Sequence, residues 1–363
     1  MPDTNTSIEI RNVYKIFGRH PERHIDAVRT GGMGKAELLE KHNHVLGLNN
    51  VSLDIEAGHI QVIMGLSGSG KSTLIRHINR LIEPTAGEVI VEGTDVRALK
   101  PKALRNFRRA STAMVFQKFA LLPHRTVIGN VVFGLEIKGV SRAEQMAEAR
   151  RWINRVGLAG FEDRYPSQLS GGMQQRVGLA RALANDAPIL LMDEAFSALD
   201  PLIRVDMQTI LLDLQAEVRK TIVFITHDLD EALRIGDRVA IMQDGELVQQ
   251  GKPEDIVLSP ATSYVEDFVR QVNRGRVVKV GALAKSVSGP PAALRVPGSL
   301  SLADAALRLV EARLSFADVT DDNGAVVGRV GLDDVVRTLA RSAGEEAASE
   351  AIASEEPPTR LAG

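Results

Sequence analysis

Ile60-Gln61-Val62-Ile63-Met64-Gly65-Leu66-Ser67-Gly68-Ser69-Gly70-Lys71-Ser72-Thr73 decides the fold of this chain. An apolar run of strand length enters a loop built on Gly65, Gly68 and Gly70, and the loop opens a helical pattern. The loop fits G-x-x-x-x-G-K-[ST], and strand before and helix after are the context that this motif requires. Glycines let backbone N–H groups turn inward on phosphate oxygens, and the helix N-terminus adds a favourable dipole. Read this way, Gly65 to Thr73 is a nucleotide cradle. Lys71 reaches the β- and γ-phosphates, Ser72 meets Mg²⁺, and Thr73 lies near the α-phosphate. A glycine-rich turn with an incidental lysine is the competing reading, and the motif alone leaves the ATPase family open.

Working outward, short apolar runs alternate with helical patterns, which predicts an α/β sheet. Strands are expected at Ile8–Val13, Val51–Ile55, Ile60–Met64, Glu88–Val91, Ala113–Phe116, Ile189–Met192, Thr221–Ile225 and Val239–Met242. Ile189–Met192 and Ile222–Ile225 are apolar throughout, as in strands covered on both faces. Helices are expected after Gly70, Gly171, Asp200 and Asp228.

At 363 residues the chain exceeds one typical domain. A net charge of −2 argues against a nucleic-acid partner, which selects for basic excess. Cysteine is absent, so neither disulfides nor thiolate metal sites can form. No apolar stretch approaches the roughly 18 residues that a membrane span needs, so a pore, if there is one, belongs to another chain. Residues 1–6 lack the features of a signal peptide.

A second chemical group follows the apolar run Ile189-Leu190-Leu191-Met192, which ends in Asp193-Glu194. Ligands sit at the C-terminal ends of strands in open α/β sheets. Asp193 is placed there to hold Mg²⁺, and Glu194 to orient and deprotonate an attacking water. A third group is Leu169-Ser170-Gly171-Gly172-Met173-Gln174-Gln175-Arg176. Ser170, Gly171 and Gly172 open a helix, so a hydroxyl and free N–H groups converge on an anion site. It has no lysine-bearing cradle of its own, which makes sense if it closes on nucleotide held by another subunit. An ordinary capped helix start is the plainer reading of those residues.

With this peptide the chain resembles the ABC ATPase family, over roughly Ile8 to Val257. That resemblance implies an ABC-type P-loop ATPase fold with a helical subdomain at about 118–175, and ATP with Mg²⁺ as ligands. It implies that Gln117 contacts Mg²⁺ and the lytic water, and that Ser197 and Asp200 lie in a loop crossing a dimer interface. It implies that His227 contacts the γ-phosphate and that Phe17 stacks on adenine, with Tyr14 as competitor and core packing open to both. Catalysis is then expected from Glu194, His227 and Gln117; the metal from Ser72, Gln117 and Asp193. Ser170, Gly171, Gly172 and Gln174 act in trans, from a second copy in an ATP sandwich. The segment Lys118–Pro123 lines a groove for the coupling helix of a permease.

Tyr14-Lys15-Ile16-Phe17-Gly18, Asn79-Arg80-Leu81-Ile82-Glu83-Pro84 and Met192 to Arg204 are similar to one branch, the glycine betaine/proline (quaternary-amine) uptake ATPases. The insertion at about 20–44 fits that branch. It implies an integral-membrane permease, an extracytoplasmic binding protein and a place on the cytoplasmic face of the membrane. Histidine or another amino acid remains an alternative cargo, and a non-transport ABC ATPase a remote one. The ATPase domain is expected over 1–270, followed by a linker at 271–298. Residues 299–342 resemble one cystathionine-β-synthase-type (CBS) repeat, an α+β unit, and 343–363 is an acidic tail expected to lack a packed structure. Arg270, Arg274, Arg276, Lys279 and Lys285 form a solvated face or meet an anionic membrane surface.

Overall fold

Alternation of apolar residues from Thr6 makes a long strand, β1 (Thr6–Phe17), that buries Ile8, Ile10, Val13 and Ile16. The skipped step between Ile10 and Val13 coincides with a register shift, where Asn12 takes φ 45°. The computed structural model describes residues 6–117, 119–270, 272–287, 290–321 and 323–340. Lys118, Gly289, Asp322 and the acidic stretch 343–363 therefore lie outside the described residues. The insertion after β1 carries α1 (Ile25–Arg29) and α2 (Lys35–His42), the second close to the helical pattern at 35–41. Val28 and Leu38 from these helices pack with Tyr14, Ile16 and Leu46 in a satellite core.

After the insertion come β2 (Val45–Glu56), β3 (Ile60–Met64), α3 (Lys71–Ile78), β4 (Ala86–Val91) and β5 (Thr94–Asp95). Then follow α4 (Pro101–Ala110), β6 (Thr112–Phe116), α5 (Val127–Lys138), α6 (Arg142–Arg155) and α7 (Gly171–Ala184). The first unit ends with β7 (Ile189–Asp193), α8 (Pro201–Val218), β8 (Thr221–Thr226), α9 (Leu229–Ile235), β9 (Arg238–Gln243) and β10 (Glu246–Gly251). One sheet has the order β2-β1-β4-β5 and is antiparallel. The other has the order β10-β9-β3-β8-β7-β6, with β9, β3, β8, β7 and β6 parallel. Leu74, Ile75 and Ile78 of α3 share one core with Ile8, Ile10 and Leu53 of the first sheet and Leu191, Val223 and Ile225 of the second. The cradle helix is therefore clamped between two sheets. Helices α5, α6 and α7 pack on one another as a separate layer.

Side-chain caps start these helices: Thr126, Ser141, Ser170, Asp200 and Asp228 each accept a backbone N–H of the first turn. Each such cap contributes about 1 kcal/mol. Parallel strands with this order bring the C-terminal ends of β3, β6, β7 and β8 to one edge, where the loop of Gly65 and the carboxylates of Asp193 and Glu194 stand.

The chain divides between Gln250 and Gly251 into two compact units, ahead of the boundary near 270. The second unit holds α10 (Pro253–Leu258), α11 (Ser263–Val269), α12 (Arg274–Val277), β11 (Arg295–Pro297), α13 (Leu302–Glu311), β12 (Phe316–Thr320) and β13 (Val326–Gly331), with helix over 332–340. The stretch 271–298 thus carries regular structure, including β11, which pairs parallel with β12. Three residues are too few for a periodicity to announce. Leu302, Ala305 and Leu309 of α13 are buried, as are Ala317, Val319, Val330 and Val335. Buried Asp318 accepts from Arg329 Nε at 2.8 Å and from the Ala292 N–H at 2.8 Å. The Arg329 guanidinium holds its carboxyl below the usual range.

Candidate functional site

Three glycines shape the loop after β3: Gly65, Gly68 and Gly70 have φ of 149°, 80° and 101°. A Cβ on Gly65 would collide with the Met242 carbonyl, and one on Gly70 would stand 2.7 Å from Gly47 O. Leu66, Ser67 and Gly68 are exposed, whereas Ser69 and Lys71 are buried. The Ser69 hydroxyl finds no partner in this structure. Lys71 Nζ donates to Gly65 O at 2.8 Å and Leu66 O at 2.9 Å, so the loop closes around the ammonium. Burial lowers the Lys71 ammonium, and Glu194 and Asp193 oppose that shift. One turn on, His77 Nδ1 donates to Thr73 O at 2.6 Å, and burial pushes its imidazole down to about 4.

The end of β7 meets this helix. Asp193 Oδ1 accepts from Ser72 Oγ at 2.8 Å, and Oδ2 accepts from Arg76 Nη2 at 3.0 Å. Arg76 is a site residue that the sequence reading missed; its spacing of four from Ser72, on one helix face, is the available signal. The oxygens of Ser72 and Asp193 form a hard donor pair suited to Mg²⁺ completed by phosphate and water. Glu194 takes φ 48°, a left-handed conformation, and its N–H donates to Ile225 O at 3.2 Å, across β8. Gln117 Nε2 donates to Glu194 Oε2 at 3.1 Å and Ser197 Oγ at 3.2 Å. Ser197 Oγ donates to Glu194 O at 2.9 Å. His227 Nδ1 stands 3.8 Å from Glu194 Oε2, beyond a hydrogen bond but within ion-pair range. Gln117 after β6 and His227 after β8 thus flank the Glu194 carboxylate after β7, while Ser197 and Ile225 hold its backbone.

Arg204 stabilises this edge and was also missed from sequence. Its guanidinium donates to Asp228 Oδ2 at 3.0 Å, Leu199 O at 3.3 Å and Ser197 O at 3.4 Å, tying the loop before α8 to the one after β8. Asp200 spends its carboxylate on the Ile203 N–H at 3.1 Å.

Ser170, Gly171 and Gly172 stand at the head of α7, in the helical layer rather than at the sheet edge. Ser170 Oγ accepts from the Met173 N–H at 3.3 Å, and Gln174 Nε2 donates to Leu169 O at 3.2 Å. A Cβ on Gly172 would lie 2.6 Å from Ile203 Cγ2, so only glycine lets α8 approach.

The two aromatic candidates separate cleanly by environment. Tyr14 is buried in the satellite core, whereas Phe17 is 38% exposed. A Cβ added at Gly47 would stand 2.6 Å from the Phe17 ring, and one added at Gly70 would stand 2.7 Å from Gly47 O, so the ring lies close to the foot of the cradle. Lys15 Nζ lies 5.0 Å from the Phe17 ring centre.

Beside the site runs a groove of about 410 Å³, lined by Leu81, Arg109, Phe116, Ala120, Leu122 and Arg181 among others. Among the described residues no helix is long and apolar enough to cross a membrane.

The profile of the family described as ABC transporter matches residues 48–197. The chain is 48% identical over 341 residues to the glycine betaine/proline betaine transport system ATP-binding protein ProV of Salmonella typhimurium, covering 94% of this chain and 84% of that one. It is 43% identical over 333 residues to the trimethylamine N-oxide transport system ATP-binding protein TmoW of Pelagibacter ubique, covering 92% and 97%. The dimeric ATP-binding cassette MJ0796, in a post-hydrolysis state bound to ADP and Pi, superposes with a TM-score of 0.58 at 34% identity, covering 68% of this chain and 98% of that one. With the phosphate cradle, the two carboxylates and the Ser170–Gly172 helix start in one fold, and with near-complete relatives of this identity, the chain belongs to the ABC transporter family as an ATP-binding subunit.

Proposed function

We propose that this subunit couples ATP hydrolysis to import of a quaternary amine or a related small osmolyte through a separate permease. The observation that carries the cargo class is the 48% identity, over 94% of the chain, to a subunit of a glycine betaine/proline betaine system. A trimethylamine N-oxide system supplies a second reading of the same chemistry, a small polar molecule with a methylated nitrogen.

In this reading the cradle N–H groups and Lys71 bind the β- and γ-phosphates, and Phe17 stacks on adenine. Ser72 and Asp193 would hold Mg²⁺, which when bound neutralises phosphate charge. Glu194 orients and deprotonates water, Gln117 fixes the Glu194 carboxylate, and His227 meets the γ-phosphate. The Ser170–Gly172 helix start of a second copy completes each site, so hydrolysis requires the dimer. The rate gain comes from positioning and electrostatics rather than from covalent chemistry. The groove at Phe116, Ala120 and Leu122 receives the permease, which holds the subunit at the cytoplasmic face of the membrane.

Purification with the membrane intact, followed by ligand screening on the copurifying binding protein, tests the cargo. Micromolar binding of a betaine or an amine oxide is the expected result. A binding protein that takes neither, and takes an amino acid instead, overturns it.

A further inference from the structure

Arg181 on α7 has an unusual set of partners for a cation. Its Nη1 donates to Ala120 O at 2.7 Å and its Nη2 to Phe119 O at 3.2 Å. Burial lowers its guanidinium, and no carboxylate opposes the shift. The two residues it grips are consecutive, neither is glycine, and both are left-handed, with φ of 56° and 48°. Side chains with a Cβ are strained there and persist only where the surroundings impose the conformation. The planar fork of an arginine suits two adjacent carbonyls, and a lysine point charge does not.

The same turn touches both halves of the chemistry. Gln117, on Glu194, lies two residues before Phe119, and the Phe119 N–H donates to Phe116 O at 3.2 Å. The Phe119 ring leans on the head of α7, with its Cζ 3.7 Å from where a Gly171 Cβ would stand. Ala120 and Arg181 also line the groove beside the site.

We propose that Arg181 is a positioning residue for hydrolysis, a latch that holds Phe119 and Ala120 left-handed. The latch sets the Gln117 amide against Glu194 and keeps the Phe119 ring beside the Gly171 helix start. A partner entering the groove bears on that latch directly. The proposal rests on the reading of Gln117 as a group of the hydrolytic site.

The test compares Arg181→Met, Arg181→Met with Ala120→Gly, and Gln117→Ala in the full-length chain, at concentrations that form the dimer. Turnover, binding of a fluorescent ATP analogue and melting temperature are measured together. Arg181→Met is expected to lower kcat about tenfold while nucleotide affinity stays within about twofold. Glycine adopts the left-handed region without strain, so adding Ala120→Gly should restore about fivefold of that loss. A helix-packing role for Arg181 predicts no such rescue, and a double variant no faster than Arg181→Met overturns the latch. So does wild-type kcat in Arg181→Met. If Arg181→Met does not fold, Arg181→Lys with and without Ala120→Gly gives the same comparison. Wild-type turnover in Gln117→Ala would overturn the site reading itself, whereas a slow Gln117→Ala beside an unrescued double variant overturns the latch alone.

Discussion

The Gln117 amide donates to Glu194 Oε2 at 3.1 Å although 77 positions separate the two in sequence. The register of β6 on β7, with Phe116 opposite Asp193, makes them neighbours at adjacent strand ends. Glu194 also takes a left-handed φ of 48°, which aims its carboxylate back across the edge toward Gln117 and His227. Strain of this kind at a site costs about 1–3 kcal/mol and is kept where geometry is needed.

Glu194→Gln keeps the shape and can still meet Gln117, but it cannot take a proton. Turnover should fall by about 10²–10⁴-fold, the range for loss of a general base. ATP should then hold the dimer closed, visible as a shift in size-exclusion elution with ATP and none with ADP. Unchanged turnover would remove Glu194 as the base.

Phe17 and Tyr14 should fail differently. Phe17→Ala removes a partly exposed ring beside the cradle, so ATP affinity should drop by about 1–3 kcal/mol, the range for stacking on a base, with little change in melting. Tyr14→Ala empties a buried site in the satellite core and should cost about 3 kcal/mol of stability. Calorimetric binding and thermal unfolding on both variants check the split. Equal binding losses would count against Phe17 as the adenine platform.

Arg76 sits on the carboxylate oxygen that Ser72 does not use. Arg76→Met leaves Asp193 buried with one charged partner fewer, and the Mg²⁺-dependent part of nucleotide binding should change by about 1–3 kcal/mol. Nucleotide binding with and without Mg²⁺ reads this separately from turnover. An unchanged difference between the two would limit Arg76 to a structural role.

His77 predicts a pH dependence. Its imidazole is pushed from 6.5 down to about 4 by burial, so the folded chain keeps it neutral where the unfolded chain is protonated. Between those values the unfolded state binds more protons, and stability is lost as pH falls through that window. The contribution is about 3 kcal/mol, fully present above the unfolded value. His77→Asn keeps a donor for Thr73 O without titrating. The wild type's unfolding free energy relative to the variant's should therefore fall by about that amount from pH 7 to pH 4, read by denaturant titration at each pH. Parallel pH profiles for the two would refute it.

Much of the fold was legible from residue patterns, for a local reason. Ile60–Met64 has the same bounds as β3, and helices follow Gly70, Gly171, Asp200 and Asp228, because apolar runs, glycines and caps act over a few residues. Where pattern is weak, elements were missed. Thr94–Asp95 is only two residues long, Glu246–Gly251 is largely polar, and α4 buries nothing fully. Left-handed Glu194, Phe119 and Ala120 carry no sequence signal, because glycine, and less strongly asparagine and aspartate, are the residues that advertise that conformation.

The sequence by itself determined that this chain has a phosphate cradle, a strand ending in two carboxylates and a serine-glycine helix start, since each needs particular residue types at fixed local spacing. Only the tertiary structure decided which groups meet. The order β3-β8-β7-β6 sets Asp193 against Ser72 and Arg76, Glu194 against Gln117 and His227, and Arg204 against Asp228. Those contacts join residues distant in the chain, and strand register, which no local spacing encodes, is what brings them together at one edge.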